Sequence, residues 1–185
     1  MKKQIPNILT MLRIILVPWF LWITYFSQPE NFVIWITAIF IVASITDYLD
    51  GMLARKFDVI SNFGKIMDPL ADKLLVIAAL MALYIPLGYI SLPVIIIIVA
   101  REIVITILRD NYAKKGIYIA ANNWGKVKTV FQMVGLVGVL VYASVLQYFG
   151  WQPQSWVQIF IRIYFWITAA ITLYSGMNYI IRKKK

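Results

Sequence analysis

Four of the eight acidic residues in this chain of 185 residues recur at helical spacing in an otherwise apolar sequence. Asp47 and Asp50 are three residues apart and Asp68 and Asp72 are four apart, so each pair would share one helix face. A carboxylate in or beside hydrocarbon is costly unless it is paired, solvated or bound to a cation. Four carboxylates on two facing helices therefore predict one or two bound divalent cations.

The residue types limit which cation and which chemistry are possible. Oxygen-only ligation favours Mg²⁺ or Mn²⁺ when the substrate brings phosphates, and two such ions can clamp a phosphoryl displacement. The sequence has no cysteine and no histidine. It therefore excludes disulfides, a His/Cys zinc site, a cysteine nucleophile and a histidine base. Any catalysis must use carboxylates, lysine, arginine, hydroxyl groups and a hard cation.

Small and basic residues lie between the aspartates. Gly51 and Ala54 would let a flat base or a phosphate approach the helix backbone closely. Arg55 offers a bidentate donor to phosphate. Gly64 opens the sequence that leads into the next helix, and Pro69 fits a first helical turn.

Two other interpretations compete with a metal site. The aspartates could bridge to nearby cations in a polar helix pair at a membrane surface, the candidates being Arg55, Lys56, Lys65 and Lys73. A proton or ion relay of a small transporter would also place acids within a membrane. The relay is less favoured because transporters carry midplane acids and broken helices in repeated halves, and no repeat is visible here.

The elements that must position these residues are predicted to be membrane helices. The chain is 62% hydrophobic and only 14% charged, far from the usage of a soluble domain. Six apolar segments have about the 20 residues needed to span a bilayer. We predict one all-α domain over residues 1–185 with six transmembrane helices at roughly Ile8–Phe26, Phe32–Ala54, Leu70–Leu87, Leu92–Leu108, Val127–Tyr148 and Trp156–Ile181. The first helix is expected to be retained rather than cleaved.

Basic residues alternate between the connections and predict the orientation. They occur near the N-terminus, in the connections after the second and fourth helices, and at the C-terminus. The connections at 27–31, 86–91 and 150–155 contain no lysine or arginine. By the positive-inside rule both termini are cytoplasmic. The aspartates then lie at the cytoplasmic ends of helices 2 and 3, with a connection over residues 55–67.

The complete aspartate segment resembles the signature of the CDP-alcohol phosphotransferase family. All eight signature positions match with the usual spacing: Asp47, Asp50, Gly51, Ala54, Arg55, Gly64, Asp68 and Asp72. The resemblance implies a six-helix membrane fold, commonly a homodimer, with a polar cavity open to the cytoplasm. It also implies that an alcohol attacks the phosphate of a CDP-linked donor and that CMP leaves.

The resemblance further implies a role for each matching residue. Asp47, Asp50, Asp68 and Asp72 would hold the metals, and Asp72 would also be the general base on the acceptor hydroxyl. The nucleotide and donor would contact Asn7, Thr10, Asp47, Gly51, Ala54, Arg55 and Gly64.

Basic residues outside the signature give an indication of the charge of the acceptor alcohol. Arg101 and Arg109 are about two turns apart on helix 4, and Lys126 begins helix 5. Cations facing the cytoplasmic cavity would suit an anionic acceptor. Plainer interpretations stay open: Arg101 could pair with Glu102 or a signature aspartate, Arg109 with Asp110, and Lys126 and Lys128 could be ordinary positive-inside residues.

Three further segments resemble the branch of the family that makes phosphatidylglycerophosphate: 5–13, 100–109 and 124–129. By that likeness, Arg101, Arg109 and Lys126 would bind the acceptor phosphate. The implied reaction joins CDP-diacylglycerol to glycerol 3-phosphate in the bacterial cytoplasmic membrane, with the active site facing the cytoplasm. The same chemistry with inositol phosphate, serine or phosphatidylglycerol is the alternative, and nucleic acid is not an expected partner.

Overall fold

The computed structural model describes residues 5–28, 30–57, 62–113 and 123–181, and this part of the chain contains helices and no strands. Side chains at 5–10, 48–51, 53–57, 62–69, 110, 123 and 179–181 lie outside the description. Six α-helices follow one another in the order α1 (Ile5–Trp22), α2 (Phe32–Phe57), α3 (Asn62–Tyr84), α4 (Leu92–Ala113), α5 (Asn123–Phe149) and α6 (Ser155–Ile181). The prediction of an all-α chain with six helices is confirmed.

The predicted connection over residues 55–67 is wrong. α2 continues to Phe57 and α3 already begins at Asn62. The sequence-based bounds followed hydropathy, which falls where charges begin, whereas a helix continues as long as its backbone hydrogen bonds do. Gly64 consequently lies in the first turn of α3, and Pro69 lies within the helix rather than in its first turn.

The ends of two helices have specific backbone geometry. α1 is followed directly by a π-helical turn at Ile23–Ser27. α5 ends at Phe149 and is followed by Gly150, whose φ of 64° is left-handed. The N–H of Gly150 donates to the carbonyl of Gln147 (3.3 Å), and that of Trp151 donates to the carbonyl of Leu146 (2.9 Å). This pattern is a Schellman motif, for which glycine is the least strained residue.

The chain divides into two compact units, and the first contains residues 1–86 and 140–152. In it α1 packs against α2 and α3. Its core is apolar and includes Phe20, Ile36, Phe40, Leu75 and Leu83, each with almost no exposed surface. The last part of α5 is tied to the start of α2, because Gln147 accepts a hydrogen bond from the Val33 N–H (3.0 Å). Early N–H groups of a helix have no partner within it, so this side chain acts as a cap.

The second unit contains residues 87–139 and 153–185. In it α4 packs against α6, and Ile98, Leu136 and Phe165 are fully buried. Tyr164 of α6 stacks on Phe131 of α5 at 5.5 Å between ring centroids. Gly135 gives this ring its space, because a β-carbon there would lie 2.5 Å from Tyr164 Cε1.

Among the described residues, two helical segments are long and apolar enough to cross a bilayer, Trp124–Phe149 and Ser155–Asn178. Only about a third or less of each is buried inside the protein. Large apolar side chains therefore remain exposed along them, including Ile159, Phe160 and Trp166. A helix with so much apolar exposure suits lipid contact better than water. α4 carries charged residues within its sequence, among them Arg101, Glu102 and Arg109.

Candidate functional site

The signature aspartates lie on the two helices predicted for them, within the first unit. Asp47 and Asp50 belong to α2, and Asp68 and Asp72 belong to α3. The side chains of Asp47 and Asp72 are described, and both residues are intermediate in exposure. Asp72 follows Ala71, which is buried, so its part of α3 faces the interior on one side.

The other predicted residues of this site are located only by their backbone. Asn7 and Thr10 lie on α1, Gly51, Ala54 and Arg55 lie on α2, and Gly64 lies on α3. Their side chains, with those of Asp50 and Asp68, are outside the described residues. Their proposed contacts with metal and donor stay predictions.

Arg13 is a residue whose role the sequence analysis missed. It lies on α1, is completely buried, and its Nη1 is 2.6 Å from Asp47 Oδ1. Asp47 keeps 42% of its side chain exposed, so one carboxylate is anchored from the interior while still reaching the surface of the unit. The sequence does contain an indication of this contact, because an arginine inside an apolar helix is energetically costly unless it has a partner. Arg13 was not among the cations predicted to pair with these aspartates in the alternative interpretation.

The donor set agrees with a hard divalent cation. The candidate metal ligands in the signature are all carboxylates, which Mg²⁺ and Mn²⁺ prefer over nitrogen or sulfur ligands. Within the described side chains, no three acidic groups come together. Asp47 and Asp72 would hold such an ion together with Asp50 and Asp68, whose side chains are not described.

The second unit holds Arg101 in a polar cluster between three helices. Arg101 Nη2 donates to Ser175 Oγ of α6 at 2.7 Å, and its Nη1 lies 3.4 Å from Glu102 Oε1. Lys128 of α5 pairs with the same Glu102 oxygen. The open alternative that Arg101 pairs with Glu102 is thus correct in part. Lys128 is not an ordinary membrane-edge cation, because only 3% of it is exposed.

Arg109 and Lys126 differ from this cluster in their exposure. Arg109 lies two turns beyond Arg101 on α4, and Lys126 lies at the start of α5. Both side chains are exposed, whereas Arg101 is largely covered. The described contacts do not test whether the three cations bind one phosphate, so the acceptor-phosphate pocket stays a prediction.

In the part of the chain that the structure describes, the aspartate signature lies on α2 and α3, and two other helices are apolar enough to contact lipid. These features indicate a membrane-associated phosphotransfer protein. The chain belongs to the CDP-alcohol phosphatidyltransferase family, whose model matches residues 3–176. The resemblance stated from the signature is confirmed.

The chain is also similar to individual members of this family that share one name. The chain is 38% identical over 184 residues to a CDP-diacylglycerol–glycerol-3-phosphate 3-phosphatidyltransferase of Haemophilus influenzae, covering 97% of this chain and 93% of that protein. It is 36% identical over 185 residues to proteins of the same name from Salmonella paratyphi A and Escherichia coli K12, covering 97% of this chain and 94% of each.

Proposed function

We propose that this protein transfers the phosphatidyl group of CDP-diacylglycerol to glycerol 3-phosphate, giving phosphatidylglycerophosphate and CMP. The observation that carries the proposal is the 38% identity to a protein named for this activity, extending over 97% of the chain. All eight positions of the signature lie within the aligned region. The protein is therefore an enzyme of phospholipid synthesis.

Asp47, Asp50, Asp68 and Asp72 are the proposed ligands of one or two divalent cations, Mg²⁺ or Mn²⁺. When bound, such ions offset the charge of the pyrophosphate and of the departing CMP. Arg13 supports this role because it contacts one Asp47 oxygen and places a positive charge beside that carboxylate. Arg55 would donate hydrogen bonds to a donor phosphate, while Asn7, Thr10, Gly51, Ala54 and Gly64 would border the nucleotide.

Asp72 is the proposed general base. Its carboxylate would accept the proton of the acceptor hydroxyl as that oxygen attacks the phosphorus attached to diacylglycerol. The bond from this phosphorus to the bridging pyrophosphate oxygen breaks, and CMP leaves with that oxygen.

Arg101, Arg109 and Lys126 are the proposed ligands of the acceptor phosphate. Arginine and lysine supply the charge-assisted hydrogen bonds that a phosphate monoester requires, and neutral serine has no comparable need for them. Arg101 favours this role most because its guanidinium is already held in a defined orientation by Ser175 and Glu102.

The proposed setting is the bacterial cytoplasmic membrane. We propose that all six helices span the bilayer as one domain, that both termini are cytoplasmic, and that the active site faces the cytoplasm. The alternation of basic connections supports this orientation. A homodimer is proposed from the family resemblance alone.

The test is CMP release by purified, detergent-solubilised protein given CDP-diacylglycerol and Mg²⁺. Glycerol 3-phosphate, inositol phosphate, serine and phosphatidylglycerol are offered separately at equal concentration. We expect release only with glycerol 3-phosphate. Release with a different alcohol would overturn the acceptor assignment, and no metal-dependent release with any alcohol would overturn the enzymatic proposal.

A further inference from the structure

Two lysines near the start of α5 have opposite environments. Lys126 is exposed, whereas Lys128, two residues later, is 3% exposed. Residues two apart point to different sides of a helix, so both cannot face the same surroundings. A buried ammonium group is strongly unfavourable unless a carboxylate compensates it. Glu102 supplies that carboxylate, and its Oε1 contacts Lys128 Nζ.

Glu102 also contacts Arg101, so three charges share one cluster. Arg101 Nη1 lies 3.4 Å from the same Oε1 atom that pairs with Lys128. Arg101 and Glu102 alone would sum to zero charge. With Lys128 the cluster keeps one net positive charge, which is the charge needed to attract a phosphate.

Contacts with α5 and α6 restrict the conformation of the Arg101 side chain. Its Nη2 donates to Ser175 Oγ at 2.7 Å, and Ser175 is 1% exposed. A β-carbon at Gly176 would lie 3.3 Å from Arg101 Cγ, closer than most such contacts. A β-carbon at Gly125 would lie 3.9 Å from Arg101 Nη2. The side chain is thus confined along its length and at its tip.

We infer that Glu102, Lys128 and Ser175 are positioning residues for Arg101, and that Lys128 neutralises Glu102 instead of binding the acceptor phosphate. The inference rests on the proposed function, in which Arg101 binds that phosphate. Glu102 and Ser175 fix the orientation of the guanidinium, and Lys128 prevents Glu102 from cancelling its charge. The two lysines of α5 therefore have different roles. Lys126 binds the acceptor phosphate, and Lys128 neutralises Glu102 beside Arg101.

A double-mutant cycle tests whether Lys128 acts through Glu102. The variants are Lys128→Met, Glu102→Gln and the two combined, with KM measured separately for glycerol 3-phosphate and for CDP-diacylglycerol. Lys128→Met removes the positive charge that offsets Glu102 beside Arg101, so we expect KM for glycerol 3-phosphate to rise about tenfold or more. Glutamine at position 102 keeps an oxygen that can accept from Arg101. The combined variant also restores one net positive charge, so its KM should return to within about threefold of wild type.

Lys126→Met with Glu102→Gln is the matched comparison. Because Lys126 is proposed to act directly, adding Glu102→Gln should not recover its KM. Recovery with Lys128→Met but not with Lys126→Met supports the inference. A Lys128→Met, Glu102→Gln variant that binds glycerol 3-phosphate as weakly as Lys128→Met alone would overturn it.

Ser175→Ala keeps the test decisive if the charge variants fail to fold. It removes one hydrogen bond to a charged group while changing little volume, so KM for glycerol 3-phosphate should rise about tenfold with KM for CDP-diacylglycerol unchanged. No change in either KM would contradict the positioning role. Absence of glycerol 3-phosphate-dependent CMP release by the wild type would instead count against the proposed function, so the two failures are distinguishable.

Discussion

At the scale of single residues, burial separates side chains that look alike in the sequence. Lys126 and Lys128 both belong to a basic segment that the positive-inside rule explains equally well, yet one is exposed and the other is buried against Glu102. Which side of α5 faces inward depends on α4 and α6, and no local pattern specifies that. The helices that carry the signature aspartates could be predicted from the sequence, whereas the roles of those aspartates stay predictions.

The ion pair between Arg13 and Asp47 leads to a prediction about stability. Arg13→Met removes the buried cation that contacts Asp47, whose side chain is 42% exposed and so accessible to water. We expect a loss of about 1–3 kcal/mol in the free energy of unfolding, since a hydrogen bond between charged groups is lost while the carboxylate can rehydrate. The measurement is the midpoint of thermal unfolding in detergent.

Magnesium activation of the same variant reports on function. If Arg13 holds Asp47 in its ligating position, Arg13→Met should require more Mg²⁺ for half-maximal activity, and Arg13→Lys should recover part of the loss. An Arg13→Met protein with wild-type stability and a wild-type Mg²⁺ titration would show that the pair has neither role.

At the scale of elements, the six helices could be predicted because each apolar segment is close to the length that spans a bilayer. The connection between α2 and α3 could not, because charged residues can end a hydrophobic segment without ending a helix. Phe57 and Asn62 bound a much shorter connection than hydropathy indicated. The prediction that Pro69 lies in a first helical turn is wrong for a related reason, since proline favours a first turn but is not restricted to one.

The contact between α5 and α6 supports a prediction with an internal control. At Gly135 a β-carbon would lie 2.5 Å from the Tyr164 ring, whereas at Gly138 it would have no neighbour within 4 Å. Gly135→Ala must displace a ring that stacks on Phe131 and whose hydroxyl donates to the Phe131 carbonyl at 2.8 Å. We expect it to lower the free energy of unfolding by about 1–3 kcal/mol.

Gly138→Ala is the matched control on the same helix. It should be neutral or stabilise by up to about 1 kcal/mol, because alanine is a better helix former and meets no obstacle. Thermal unfolding of both variants in one detergent makes the comparison. Equal midpoints for the two would show that the Tyr164 ring does not require Gly135.

At the scale of the whole molecule, the lack of cysteine makes the proposed topology directly testable. Single cysteines can be introduced at Asn31, Gln152 and Lys184 without removing any native thiol. The connections at 27–31 and 150–155 carry no basic residue, so a membrane-impermeant maleimide should label Asn31→Cys and Gln152→Cys in intact cells. Lys184→Cys should react only after permeabilisation. The opposite labelling pattern would reverse the orientation.

The central claim is that the aspartate signature carries out metal-dependent phosphatidyl transfer to glycerol 3-phosphate. Its most direct test is mass spectrometry of the lipid formed by wild-type protein and by Asp72→Asn, each with Mg²⁺ and with a chelator. We predict phosphatidylglycerophosphate from the wild type only when Mg²⁺ is present. Asp72→Asn should lower its formation by about 10²-fold or more, because a general base contributes on that order, with an unchanged melting temperature. Wild-type amounts of this lipid from Asp72→Asn, or from the chelated enzyme, would contradict the account.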